Sequence, residues 1–108
     1  MRRDNLRIKD ALAAIDKIEK FLESVDFSDL ERDELRKSAV MAELTIIGEA
    51  TKNISKELQQ KYVEIEWSKA SSLRNILVHA YFGVEWKILW DTIREDLPKL
   101  KSQLKKIK

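Results

Sequence analysis

The stretch "LRKSAVMAELTIIGEATKNISKEL", residues 35–58, decides how the chain folds. Apolar residues recur in steps of three and four at Leu35, Ala39, Ala42, Ile46, Ala50, Ile54 and Leu58, the spacing of one helix face. Val40, Leu44 and Ile47 open a second apolar face. A helix that is apolar on two sides is central in its fold or shared with another subunit. The segment is expected to run from about Asp29 to Gln60, with a short first turn or break near Asp33 and with Ser28 or Asp29 as cap. A glycine inside a helix costs roughly 1 kcal/mol relative to alanine, so Gly48 requires a reason. Together with Ala50 it would allow a close helix crossing, and packing is the simplest reading of "IIGEA".

The flanking segments carry the same period. From Arg3 to about Val25 the stripe is Ile8, Leu12, Ile15, Ile18, Leu22 and Val25, broken by "VDFSDL". "QKYVEIEW" is the second break. A third helix is expected from Trp67 or Ser68 to Tyr81, with Ala70, Leu73, Leu77 and Ala80 inward and Gly83 as its stop. The last helix is expected from about Val84, with Trp86, Leu89, Trp90, Ile93, Leu97, Leu100, Leu104 and Ile107 inward and a kink or short break at Pro98. The three tryptophans read as core or interface anchors. The sum is an all-α, up-and-down bundle of four main helices in one domain, residues 1–108.

Composition narrows the function classes. Charged residues make up 37% and hydrophobic residues 44%, a globular balance. Two glycines and one proline are too few turn formers for an all-β fold. Without cysteine there is neither a disulfide framework nor a thiolate metal site. No apolar run approaches the roughly 18 residues of a membrane helix, and "MRRDNLRIKD" lacks an apolar signal core, so a cytoplasmic protein with no membrane partner is expected. The net charge of +2 does not advertise nucleic-acid binding, though a local patch stays open. The terminal "PKLKSQLKKIK" has five lysines and no acid. It reads first as a solvated end suited to the negative helix terminus, and more sharply as an RNA-backbone contact.

Chemistry concentrates in "RNILVHAYFGVEW", residues 74–86, which holds the only histidine, His79. One histidine cannot make a multi-histidine metal site, and no acidic cluster with metal spacing adjoins it. Phosphate loops and nucleophile elbows are absent as well. An imidazole beside a guanidinium suits one chemistry. The imidazole moves protons to and from a ribose hydroxyl, and the guanidinium holds a phosphate by two hydrogen bonds. That suffices for metal-free RNA cleavage with the 2′-hydroxyl as nucleophile. At about 100° per residue, however, Arg74 and His79 lie about 140° apart around one helix, whereas Arg74 and Tyr81 share a face. The two groups converge only if the helix distorts near its end or a second subunit completes the site.

"LRNILVHAYFGVEWKILWDTIREDLPKL" resembles the C-terminal half of the HepT-like proteins of the HEPN superfamily, with their Arg-x4-His-x-Tyr motif. "MAELTIIGEATKNISKEL" resembles their central helix. The resemblance implies a dimeric helical bundle with Arg–His pairs lining a cleft at the interface. It implies a metal-independent ribonuclease acting on RNA without a cofactor. It also implies a toxin of the type VII-like kind, whose antitoxin is a minimal nucleotidyltransferase that transfers AMP to the motif tyrosine, with assembly beyond the homodimer open. Carried over, Arg74 and His79 are catalytic, Tyr81 is the AMP acceptor and Asn75 supports the site. An adenylate on Tyr81 would block the site and place negative charge beside Arg74. The alternatives are an inactive helical module that docks the nucleotidyltransferase, and a plain dimeric scaffold.

Overall fold

The long central helix is divided more finely than its periodicity suggests. In the computed structural model, which describes residues 2–75 and 86–107, the first helix is α1, Arg2–Phe21. The expected second segment is three helices: α2, Phe27–Glu31; α3, Glu34–Lys52; and α4, Lys56–Lys61. A five-residue α5, Trp67–Ser71, passes into a 3₁₀ turn, Ser72–Asn75. The last helix is α6, Trp86–Lys105. The described residues are thus helical with turns between. The expected inward positions Leu77 and Ala80, the stop at Gly83 and the start near Val84 lie outside the described residues.

Caps explain the divisions. Asp26, not Ser28 or Asp29, caps α2: its Oδ1 accepts from the Asp29 amide at 2.8 Å. Asp29 closes the reciprocal bond to the Asp26 amide, forming a capping box. Three positions after a capping acid the two roles are hard to tell apart in sequence, because either carboxylate can satisfy an orphan amide. The break near Asp33 is present. Its Oδ1 accepts from the Arg36 amide at 2.9 Å, and its Oδ2 pairs with the Arg36 guanidinium at 2.7 Å. These hydrogen bonds hold the Asp33 carboxyl below its ordinary value of 3.8. Ser55 caps α4 and is itself gripped by buried Asp4, which accepts from its amide at 2.8 Å and its hydroxyl at 2.7 Å.

Two of these contacts set the direction of the first helix pair. Asp4 at the start of α1 meets Ser55 beyond the end of α3. The Arg36 guanidinium at the start of α3 donates to the Phe21 carbonyl at the end of α1 at 2.8 Å. α1 and α3 are therefore antiparallel. α1 ends four residues before the expected Val25, in a turn that carries Ser24 at φ 60°. Leu22 and Val25 are nevertheless buried, as the stripe requires.

The core corrects the expected facing of α3. Val40, Leu44 and Ile47, the second face, are buried in the core with Ala50 and Thr51, and α3 packs on α1, α5 and the 3₁₀ turn. Leu35, Ala42 and Ile46 from the expected main stripe are exposed, and Ala39 is half-buried. Only the C-terminal end of that stripe, Ala50 and Ile54, is inside. Both faces obey the same period, so periodicity cannot decide which one meets the rest of its own chain. α6 buries the expected stripe from Leu89 to Leu104. It crosses Pro98 as one unbroken helix, because Pro98 is on the exposed side where water can replace its missing N–H. Trp67 and Trp90 are buried, and Trp86 is half-buried with the Lys37 Nζ 5.5 Å from its ring centre. Lys101 lies between Asp16 at 3.0 Å and Glu19 at 2.7 Å, and these acids hold its ammonium above the usual lysine value. Part of the basic C-terminus therefore serves packing of α6 on α1.

Candidate functional site

Arg74 is placed by a short, well-anchored segment. The Trp67 indole N–H donates to the Tyr62 carbonyl at 3.0 Å, and Ala70 and Leu73 are buried against the core. Lys69 reaches Asp96 on α6 at 3.2 Å, and the hydrogen bond to Asp96, with the charge of Glu66 nearby, holds Lys69 above its usual value. After Ser71 the α-helix tightens into the 3₁₀ turn. There the Ser71 and Ser72 hydroxyls donate back to the Ser68 and Lys69 carbonyls at 3.1 and 2.7 Å, a pattern that competes with regular helix bonding. The helix is thus locally tightened where Arg74 sits.

Gly48 explains why Arg74 can lie where it does. A Cβ at position 48 would stand 2.8 Å from the Arg74 Cβ and 3.0 Å from its Cα, and closer still to its amide nitrogen. The 3₁₀ turn rests directly on the glycine, so the crossing expected from "IIGEA" is made, with Arg74 as the partner. The next residue of α3 meets the other end of the same side chain. Arg74 Nη1 donates to Glu49 Oε1 at 2.9 Å, with Arg74 37% and Glu49 49% exposed. Adjacent residues of α3 thus fix both the backbone and the guanidinium of Arg74.

Of the expected site residues, Arg74 is half-buried at the end of the 3₁₀ turn and Asn75 is exposed beside it. His79 and Tyr81 lie outside the described residues. Glu49 is absent from the sequence-derived set. Its only signal is spacing: it continues the series Leu35, Ala39, Ala42, Ile46 by one more step of three. Among the described residues, no three histidine, aspartate or glutamate side chains gather as a metal site. None of the described helices is long and apolar enough to cross a membrane.

The family model described as "Ribonuclease HepT-like" matches residues 11–107. The chain belongs to the HepT-like ribonuclease family. Among curated HepT-like relatives, the "Probable ribonuclease HepT" of Thermococcus cleftensis is 40% identical over 101 residues, covering 94% of this chain and 92% of its own. A protein of Caldanaerobacter subterraneus, provisionally named an RNase, is 37% identical over 86 residues, or 80% and 77% of the two chains. Another provisionally named RNase, from Methanocaldococcus jannaschii, is 33% identical over 95 residues, or 88% and 87%. No solved structure matches. The HepT-like match contains both "IIGEA" and residues 74–86, so the Gly48–Arg74 contact and the Glu49–Arg74 pair belong to the ribonuclease domain itself.

Proposed function

We propose that this HepT-like ribonuclease cuts RNA without a metal, with Arg74 holding the scissile phosphate and His79 moving protons. The 2′-oxygen attacks the adjacent phosphorus, and its proton is taken up as the P–O2′ bond forms. The P–O5′ bond breaks, and the leaving oxygen receives a proton. The products are a 2′,3′-cyclic phosphate and a 5′-hydroxyl. His79 acts on the attacking or the leaving oxygen, and the guanidinium balances charge on the phosphate oxygens. The supporting observation is that Arg74 is half-exposed and oriented, its Nη1 bonded to Glu49 while its Nε–Nη2 edge takes no part in that bond. A guanidinium edge matches two phosphate oxygens.

The active unit in this reading is a homodimer. The apolar face Leu35–Ala39–Ala42–Ile46, exposed except at half-buried Ala39, ends, at the same helical spacing, in Glu49 and hence beside Arg74. Pairing of two such faces about a two-fold axis would bring both copies of the site to the interface and supply the second route to convergence with His79. The chain acts as a toxin, and its cognate minimal nucleotidyltransferase silences it by transferring AMP from ATP to Tyr81. The deciding experiment is cleavage of a mixed-sequence single-stranded RNA in EDTA by wild type, Arg74→Ala and His79→Ala. Cleavage by wild type alone supports the assignment, and equal cleavage by all three refutes it. Intact mass after incubation with the partner and ATP reads AMP addition, which Tyr81→Phe should abolish.

A further inference from the structure

We infer that Glu49 is a positioning residue for RNA cleavage, setting the plane of the Arg74 guanidinium before substrate arrives; the inference rests on the Arg74 reading above. Two independent contacts carry it. Gly48 lets the backbone of Arg74 lie directly on α3, and Glu49 Oε1 accepts from Nη1 at 2.9 Å. An arginine side chain has several rotatable bonds and wanders when unpaired, whereas a phosphate clamp needs its planar fork aimed. The Glu49 contact uses a single guanidinium nitrogen, so it orients the group without occupying the edge that faces two phosphate oxygens.

The pair is poorly explained as a stabilising device. Both partners are more than a third exposed, and ion pairs of that kind contribute little to folding. A carboxylate beside a phosphate site also repels RNA, which makes it a liability for binding. Glu49 should therefore act in opposite directions on the two halves of the reaction. It weakens ground-state binding and raises turnover, because the oriented guanidinium meets the transition state better than a mobile one. Simple competition with the phosphate for Arg74 predicts the reverse, with turnover rising when Glu49 is removed.

The experiment compares wild type, Glu49→Ala, Glu49→Gln, Glu49→Lys and Arg74→Ala. kcat is measured on a mixed-sequence single-stranded RNA in EDTA. Kd is measured on the all-2′-deoxy strand of the same sequence, which lacks the nucleophile. Glu49→Ala should lower kcat about tenfold with Kd unchanged or tighter. Glu49→Gln, which keeps an oxygen acceptor at the same reach, should recover part of the loss. Glu49→Lys should bind the 2′-deoxy strand more tightly than wild type while turning over more slowly. Thermal melting of each variant checks the fold, and Glu49→Lys decides the matter if Glu49→Ala fails to fold. Wild-type or faster kcat in the alanine and lysine variants, with Arg74→Ala inactive, overturns the positioning role alone. Undiminished cleavage by Arg74→Ala overturns the catalytic reading beneath it.

Discussion

Gly48→Ala tests the way α3 seats the site. On helix propensity alone it should stabilise the protein by about 1 kcal/mol. The packing opposes this. The added carbon would stand 2.8 Å from the Arg74 Cβ, whereas carbon atoms pack at about 3.5–4.0 Å, so the 3₁₀ turn must retreat by at least about 0.7 Å. The obstruction includes backbone, which cannot swing aside as a flexible side chain can. The overpacking cost should therefore reach about 2–3 kcal/mol, leaving a net loss of about 1–2 kcal/mol. In a domain of this size that lowers the melting temperature by roughly 5–10 °C. The same retreat stretches the 2.9 Å Arg74–Glu49 bond to about 3.6 Å, past hydrogen-bonding range. Cleavage in EDTA at a temperature where the variant is fully folded should fall by about tenfold or more, since a displacement near 1 Å can cost about 10²-fold. Circular dichroism melting and cleavage of labelled RNA read the two effects. A variant that melts higher than wild type and cuts equally well would refute the reasoning, because propensity would then have outweighed contact.

The two faces of α3 should respond differently to truncation. Leu44→Ala, at a residue 1% exposed, should cost about 2–5 kcal/mol in urea unfolding, whereas Leu35→Ala, at a residue 82% exposed, should stay within about 0.5 kcal/mol at subunit concentrations where the chain is monomeric. Ile46→Lys should leave the monomer folded but shift the mass in sedimentation from two chains to one; a wild-type protein that is already monomeric at tens of micromolar would end the dimer proposal. Asp33 has a lowered carboxyl pKa in the folded state, so its contribution is complete above the ordinary value of 3.8 and is lost as pH falls through the lower folded value. Asp33→Asn keeps a capping oxygen that does not titrate, and its melting temperature should fall less steeply than that of wild type below about pH 4.

The helical character and most of the inward positions could be read from the residues. α1 and α6 each have one apolar stripe, and a helix with one stripe has one way to bury it. Ile15, Ile18, Leu97 and Leu104 are accordingly inside, as their spacing demands. The cap at Asp26 escaped because capping boxes place two equivalent acids three residues apart, and only hydrogen-bond geometry separates their roles. Glu49 escaped for another reason. An acid on a charged chain carries no mark of its partner, and Arg74 is 25 residues away.

Local physics settled what depends on neighbours along the chain: helices with defined stripes, a break near Asp33, and a glycine that wanted something close to it. The identity of that close neighbour depends on which helices meet, at what height and in which direction, and no local preference encodes such a relation. Tertiary packing alone chose Val40, Leu44 and Ile47 over Leu35 and Ile46 as the inner face of α3, and alone laid the Arg74 backbone on Gly48 with its guanidinium on Glu49. The reason is that two faces with one period are degenerate in isolation, and only the shape of the surface they must cover breaks the tie.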